Sequence, residues 1–388
     1  MTGRAFITGA GHAFPGAAPQ RDLLDRFFAA HFGDRRAVRA AFASSGVERR
    51  HAVANPLVED VSSWSTGARM ARYATEVLPL AKEALAHAID ASGIAPRDLG
   101  LLVVASCTGY STPGTDVRLA QDLGLAEDLQ RLLVGHAGCH ASLPGLAAAR
   151  DYVAVHRRPA ALLCVELTSL HLQPPTRDLE QAVVHALFGD AASAVVVEPA
   201  GPGTRPREVA GPACDAAAHA AGAPGRAPPL EILEVASHTA AEAAAHMTWE
   251  ITDRGFRMRL SRRVPEVVGE HVGPLVDGLL ERNGARREDV AIWAVHPGGP
   301  RVLDVVADRL GLGHGALAHS RAVLAERGNC SSATLPIVLD RARAAARPGD
   351  LALALTFGPG LTLYACLLRC APPDWQGGDQ ANGWMPEA

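Results

Sequence analysis

The chain repeats itself. Gly93 is followed five residues on by Asp98 and then by the apolar run Leu101 to Ala105. Gly284 is followed five residues on by Asp289 and then by Ala291 to Val295. Both pairs lie 191 residues apart. Further on, Gly138-Cys139-x-x-Ser142-x-Pro144 is matched by Gly328-Asn329-x-x-Ser332-x3-Pro336, with Cys139 and Asn329 190 residues apart. The apolar run from Leu162 is matched by one from Leu351 at a spacing of 189. Nearly constant spacings kept in order imply a duplicated strand–helix unit. The expected fold class is therefore α/β, built from two similar halves, residues 1–230 and 231–388.

The continuous apolar runs Leu101 to Ala105, Ala160 to Val165 and Ala191 to Val197 read as strands buried on both faces. Leu78, Ala81, Leu85 and Ile89 fall at helical spacing, and Gly93 ends that helix. Residues 4–8 read as a short strand and residues 21–45 as helices. The Pro/Gly/Ala-rich stretch 199–229 reads as a linker or surface insertion. Net charge is −4, which gives no bias towards nucleic acid or an anionic membrane. No apolar run is long enough to span a bilayer. Seven cysteines, an odd number with no CxxC pair, point to reduced thiols and a cytoplasmic location. Lys82 is the only lysine, so any anion site must use arginine. Arg35, Arg36 and Arg39, followed by Arg49 and Arg50, read either as a solvated face or as a phosphate-binding patch.

Gly138-Cys139-His140-Ala141-Ser142 lies between a strand-like run (Arg131 to Val134) and a helix-like run (Leu143 to Val155). A buried cysteine in apolar surroundings is by itself an inert core residue. The repeat changes that reading. Cys139 and Asn329 occupy one position in the two halves, each opening a helix, so a pseudo-twofold axis brings the two turns together. His296 directly follows the strand Ala291 to Val295. Cys supplies a soft nucleophile suited to thioester exchange. A helix N-terminus and a nearby imidazole favour a thiolate–imidazolium pair. A His N–H and an Asn amide are two neutral donors able to hold an oxyanion or enolate, where a carboxylate would repel one.

At these residues the chain resembles the type III polyketide synthases, the chalcone synthase-like branch of the thiolase superfamily. The carrying segments are Gly138-Cys139; Ala186-Leu187-Phe188-Gly189-Asp190; His296-Pro297-Gly298-Gly299-Pro300; Gly328-Asn329-Cys330-Ser331-Ser332; and Phe357-Gly358-Pro359-Gly360-Leu361-Thr362. The resemblance implies a five-layered αβαβα thiolase fold and a homodimer. It implies that Cys139 accepts an acyl starter from coenzyme A. His296 and Asn329 then promote decarboxylation of malonyl-CoA, and repeated condensation is followed by cyclisation to a pyrone, resorcinol or related aromatic ring. It implies no metal or prosthetic group. Phe188 and Met258 match the gate between tunnel and cavity; Trp249 matches a position that sets cavity size, and a Trp there narrows it. Cys107, His171, Ser331 and the Gly358-Pro359-Gly360 turn match cavity positions. For His171 a satisfied core histidine is the other reading, and for Met258 a core-filling one. Arg35, Arg36, Arg39 and Arg301 are the candidates for the coenzyme A phosphates.

The stretch Met247 to Ile251 with Gly255 to Met258 looks most like bacterial members that make alkylpyrones or alkylresorcinols. Phloroglucinol-type, tetrahydroxynaphthalene and dihydroxyphenylacetyl products are the runners-up. The alternative activity is a single condensation of the ketoacyl-acyl-carrier-protein synthase III type.

Overall fold

The computed structural model describes residues 3–200 and 227–371. The stretch read as a linker or insertion falls largely in 201–226, outside the described residues.

The first half contributes β1 (Ala5–Ala13), β2 (Ala17–Pro19), β3 (Arg49–His51), β4 (Leu101–Ala105), β5 (Gln130–Val134), β6 (Ala160–Glu166) and β7 (Ala191–Pro199). The second contributes β8 (Leu230–Thr239), β9 (Met247–Thr252), β10 (Gly255–Leu260), β11 (Val290–Val295), β12 (Leu351–Gly358) and β13 (Thr362–Cys370). Nine strands form one mixed sheet in the order β11-β12-β13-β8-β1-β7-β6-β4-β5. The duplication is visible in that order. Read outward from the centre, β1-β7-β6-β4 in one half answers β8-β13-β12-β11 in the other. The outer pair is parallel in both halves and the other pairs are antiparallel. The halves join where Phe6 and Ile7 of β1 pair with Glu231 and Leu230 of β8. Only β5 has no counterpart, and it forms an exposed edge.

Three separate apolar cores define the layers. The first lies between the first half's strands and the helix Thr66–Ser92. That helix is capped by Ser65, whose side chain accepts from the Ala68 N–H, and ends at Gly93 in the left-handed region. Its buried stripe includes Val77, Ala81, Leu85 and Ile89; Leu78 is only partly buried, because Val77 takes the inward position. Gly9 and Gly11 let β1 approach so closely that an added Cβ would fall 2.2–2.3 Å from helix carbonyls. The second core holds the helices Ser142–His156 and Thr334–Arg343 between strands of both halves. The third lies between the second half's strands and the helix Val264–Arg282. Helix, sheet, paired helices, sheet, helix is an αβαβα sandwich. The middle layer matters most here, because its two helices begin at the Cys139 and Asn329 turns.

Candidate active site

Cys139 sits in a turn of 3₁₀ helix, Gly138–His140, that leads into the helix Ser142–His156. Gly138 is left-handed (φ +63°), and a Cβ there would meet the Pro359 ring at 2.7 Å. A Cβ on Gly358 would meet the His140 ring at 2.7 Å. The Gly358-Pro359-Gly360 turn therefore packs directly against the Cys139 turn, and only glycine allows that approach.

Asn329 precedes the second 3₁₀ turn, Ser331–Ala333, which opens the helix Thr334–Arg343. Its backbone N–H donates to the Leu187 carbonyl (2.8 Å) and its carbonyl accepts from the Gly189 N–H (3.0 Å). Phe188 is thus bridged to Asn329. The side-chain oxygen Oδ1 accepts from the Ser331 N–H at 2.9 Å. That leaves Nδ2 as the group able to donate into the cavity. Ser331, with φ +49°, holds a conformation rare for a non-glycine residue, as active-site residues often do.

His296 ends β11. Its N–H donates to the Leu355 carbonyl (2.8 Å), and its ring stands edge-on to Phe357, 5.7 Å between centroids. Both ring nitrogens are buried and without a hydrogen-bond partner. Cys139, His296, Asn329, Phe188 and Met258 line one cavity of about 760 Å³. Burial pushes the Cys139 thiol up to about 12, while Ser331 and Asn329 pull it back. Burial likewise pulls His296 down to about 3. Burial thus favours the uncharged form of each group. Taking both groups out of water outweighs what the neighbouring donors return.

A smaller void of about 20 Å³ lies beside Cys139, walled by Phe188, Trp249, Met258, Cys107, Ser331 and Pro359, among others. Trp249 is fixed across it. Its Nε1 donates to the Cys107 carbonyl (2.8 Å), and its ring stands edge-on to His171 and Phe256. Met258 faces Trp249 across the β9–β10 pair. A third void of about 60 Å³ lies against Trp249, Phe188 and Met258, and His171 is among its walls. His171 is also a satisfied core histidine: Nε2 faces the Thr108 carbonyl (2.7 Å) and Nδ1 accepts from the Phe256 N–H (2.9 Å). The Cys107 thiol lies 3.5 Å from the Glu166 carboxylate, and burial and that charge raise it well above its ordinary range. It is therefore held as a thiol in the wall.

The arginines divide. Arg301 lines the large cavity; Arg35, Arg36 and Arg39 are not among its lining residues. Arg39 is instead paired with Asp34 (2.6 Å) and Asp25 (2.9 Å), and Arg35 donates to the Arg177 carbonyl. The helix Arg36–Ala43 and the residues after it offer Ala41, Ser44 and Ser45 to the cavity, because its arginines point to solvent and to acids of the same segment. Arg262, which sequence reasoning missed, does line it. It follows β10 in an arginine-rich run, and that run was the available signal. Glu166 was missed too. This fully buried carboxyl accepts from Ser332 (2.5 Å), Thr108 (2.8 Å) and the Cys107 N–H (3.0 Å), tying the first half to the Asn329 turn. Its only trace in the sequence is an acid closing an apolar strand.

A thiol, an imidazole and a carboxamide in one chamber of an αβαβα sandwich fit the class of the condensing enzymes. Residues 1–202 match the family "Chalcone and stilbene synthases, N-terminal domain", and residues 232–372 match the C-terminal domain of the same family. The chain belongs to this family, the type III polyketide synthases, and is an acyltransferase that condenses malonyl-CoA with decarboxylation. It is 36% identical over 341 residues to the 1,3,6,8-tetrahydroxynaphthalene synthase of Streptomyces peucetius subsp. caesius, covering 87% of this chain and 84% of that one. It is 31% identical over 357 residues to the 3,5-dihydroxyphenylacetyl-CoA synthase of Streptomyces toyocaensis, covering 90% and 86%. Among solved structures, PKS-I from the brown alga Ectocarpus siliculosus superposes with a TM-score of 0.81 at 26% identity, covering 95% of this chain and 99% of that one. These matches lend no support to the single-condensation alternative.

Proposed function

We propose that Cys139 carries the growing chain and that His296 and Asn329 serve both half-reactions. The thiol proton passes to a free nitrogen of His296 as Sγ attacks the starter thioester, and coenzyme A leaves. Malonyl-CoA then enters with its thioester carbonyl directed at His296 and the Asn329 Nδ2. Loss of CO₂ places negative charge on that oxygen, which the two donors stabilise. The enolate carbon attacks acyl-Cys139, and the extended chain returns to sulfur for the next round. The observation that carries this reading is that Cys139, His296 and Asn329 line one cavity, with Oδ1 of Asn329 occupied by the Ser331 N–H and both buried His296 nitrogens without a partner.

The phosphates of coenzyme A are assigned to Arg262 and Arg301 in place of the arginines of the N-terminal helices. The reaction draws on coenzyme A thioesters alone, with no resident metal or prosthetic group. The void beside Cys139 is small and crossed by a pinned tryptophan. That favours a compact starter and a short chain closing to an aromatic ring, as the names of the two Streptomyces relatives suggest, over a long alkyl tail. The exposed β5 edge, with Leu132 and Leu133 44% and 57% exposed, is the face proposed to pair with a second copy in a homodimer. Among the described residues no helix is long and apolar enough to cross a membrane; a cytoplasmic location is proposed.

The test is one incubation with malonyl-CoA, alone and with a panel of short, aromatic and long-chain acyl-CoAs, read by mass spectrometry of products and of intact protein. An acyl adduct on Cys139 and a cyclised product are expected. A chain that never acquires the adduct overturns the reading.

A further inference from the structure

Arg50 stands at the centre of β3 and is buried. Its guanidinium donates to the carbonyls of His185 and Phe188, the latter at 2.9 Å, and lies 5.1 Å over the Phe28 ring. These carbonyls end the helix Leu179–Leu187, where intrahelical donors run out and a cation is a favourable cap. What hangs from this cap is unusual. Phe188 is a wall of all three voids. The residues on either side of it, Leu187 and Gly189, hold the Asn329 backbone. Added Cβ atoms on Gly189 and Gly328 would lie 3.3 and 3.5 Å from the Arg50 Cβ, so the gate and the Asn329 turn close on the arginine together.

We propose that Arg50 is a positioning residue that keeps the Phe188 gate and the Asn329 carboxamide in one register, coupling malonyl-CoA decarboxylation to carbon–carbon bond formation. The inference rests on the roles given to Cys139, His296 and Asn329 above.

A buried guanidinium is not needed to fill space, which an apolar side chain of similar volume does equally well, but its loss leaves the two carbonyls without this donor. Burial pulls Arg50 down to about 10, partly offset by the Asp190 charge. What Arg50 supplies is one terminal nitrogen, Nη1, whose two N–H bonds reach both carbonyls, on a guanidinium held over the Phe28 ring. Decarboxylation leaves an enolate with two fates. It attacks the acyl carbon of acyl-Cys139, forming a C–C bond, breaking the C–S bond and returning sulfur as thiolate. Otherwise it takes a proton and leaves as acetyl-CoA. Protonation tolerates a loose site. Attack requires enolate, thioester and gate aligned with the reacting atoms about 3–3.5 Å apart. Freeing the two carbonyls therefore shifts the partition towards acetyl-CoA.

The experiment uses the whole enzyme with malonyl-CoA and a starter that acylates the wild type. Acetyl-CoA released per extension is counted for the wild type, Arg50→Met and Arg50→Lys. Only chains whose Cys139 is acylated by intact mass enter the count, so misfolded protein drops out. The ratio should rise about tenfold in Arg50→Met. It should rise less in Arg50→Lys, whose ammonium keeps donors for both carbonyls but lacks the planar guanidinium that lies over the Phe28 ring. An unchanged ratio in Arg50→Met, whatever happens to its thermal stability, makes Arg50 a structural cation and overturns the proposal. Should Arg50→Met fail to fold, the ratio in Arg50→Lys decides by the same criterion. A wild type that extends nothing fails the prior reading, which the control reveals on its own.

Discussion

The turn that carries Cys139 and the turn that carries Asn329 occupy the same place in the two halves, and they are held differently. Each begins at a glycine in the left-handed region, Gly138 at φ +63° and Gly328 at φ +77°. Each runs through a 3₁₀ turn into a middle-layer helix. Each is braced by the opposite half, but by different means. The Cys139 turn rests in van der Waals contact on the Pro359 ring. The Asn329 turn is fastened by two backbone hydrogen bonds to Leu187 and Gly189, and its side chain by a third from Ser331. The contrast suits the work proposed for each. A nucleophile must shift between attack and release, which apolar contact permits. A donor aimed at a developing oxyanion is useful only if already fixed in place.

The largest effect should come from Cys139→Ala, which removes the covalent step: polyketide formation falls below detection while the circular dichroism spectrum stays that of the wild type. Retained chain extension would refute the nucleophile assignment. Next in size is Asn329→Asp, which keeps the shape but replaces the free amide with a carboxylate. Release of ¹⁴CO₂ from labelled malonyl-CoA should drop roughly 10²–10³-fold, as for loss of one oxyanion donor. Acyl loading of Cys139 should fall much less. Equal losses in both steps would erase the division of labour between the turns.

A paired test sharpens the division. Gly328→Ala sets a Cβ 2.8 Å from the Leu187 carbonyl, a backbone atom; Gly138→Ala sets one 2.7 Å from a proline ring. Both force an alanine to positive φ, costing about 1–3 kcal/mol each. Gly328→Ala should slow decarboxylation more than loading, and Gly138→Ala the reverse. Stopped-flow loading and CO₂ release, measured on the same preparations, separate them. Identical profiles would mean the two turns act as one rigid unit.

Much of this was legible in the sequence because it is periodic or repeated. Fully apolar runs such as Leu101 to Ala105 allow one reading only. The duplication fixed which turns had to meet, which is why Cys139, Asn329 and His296 could be named together. Single residues whose role depends on a distant partner were not legible. Arg50, read within a surface or phosphate-binding cluster, is buried against the end of a helix more than a hundred residues away. Arg39 is paired with Asp25 and Asp34, Arg35 donates to the Arg177 carbonyl, and neither they nor Arg36 are among the residues lining the cavity. Glu166 closes a strand that reads as wholly apolar, and its value comes from Ser332 in the other half. Helix phase, burial and pairing across the halves are set by packing, which no local pattern records.

Trp249 supplies the smallest effect on turnover and the most direct one on product. It reaches from the second half to the Cys107 carbonyl of the first, so it is a third link between the halves as well as a wall. The two roles predict different outcomes for Trp249→Gly. As a wall, its loss joins the void of about 20 Å³ beside Cys139 to the one of about 60 Å³ that it also lines. Products then gain extension units or accept longer starters, while decarboxylation per acylated Cys139 stays near that of the wild type. As a brace, its loss slows every step and leaves the product masses unchanged. The apolar lining of the 60 Å³ void favours the first outcome: a chain growing from Cys139 would bury carbon there without leaving a polar group unpaired. A product spectrum from Trp249→Gly indistinguishable from that of the wild type would show that the tryptophan joins the halves without limiting the chamber.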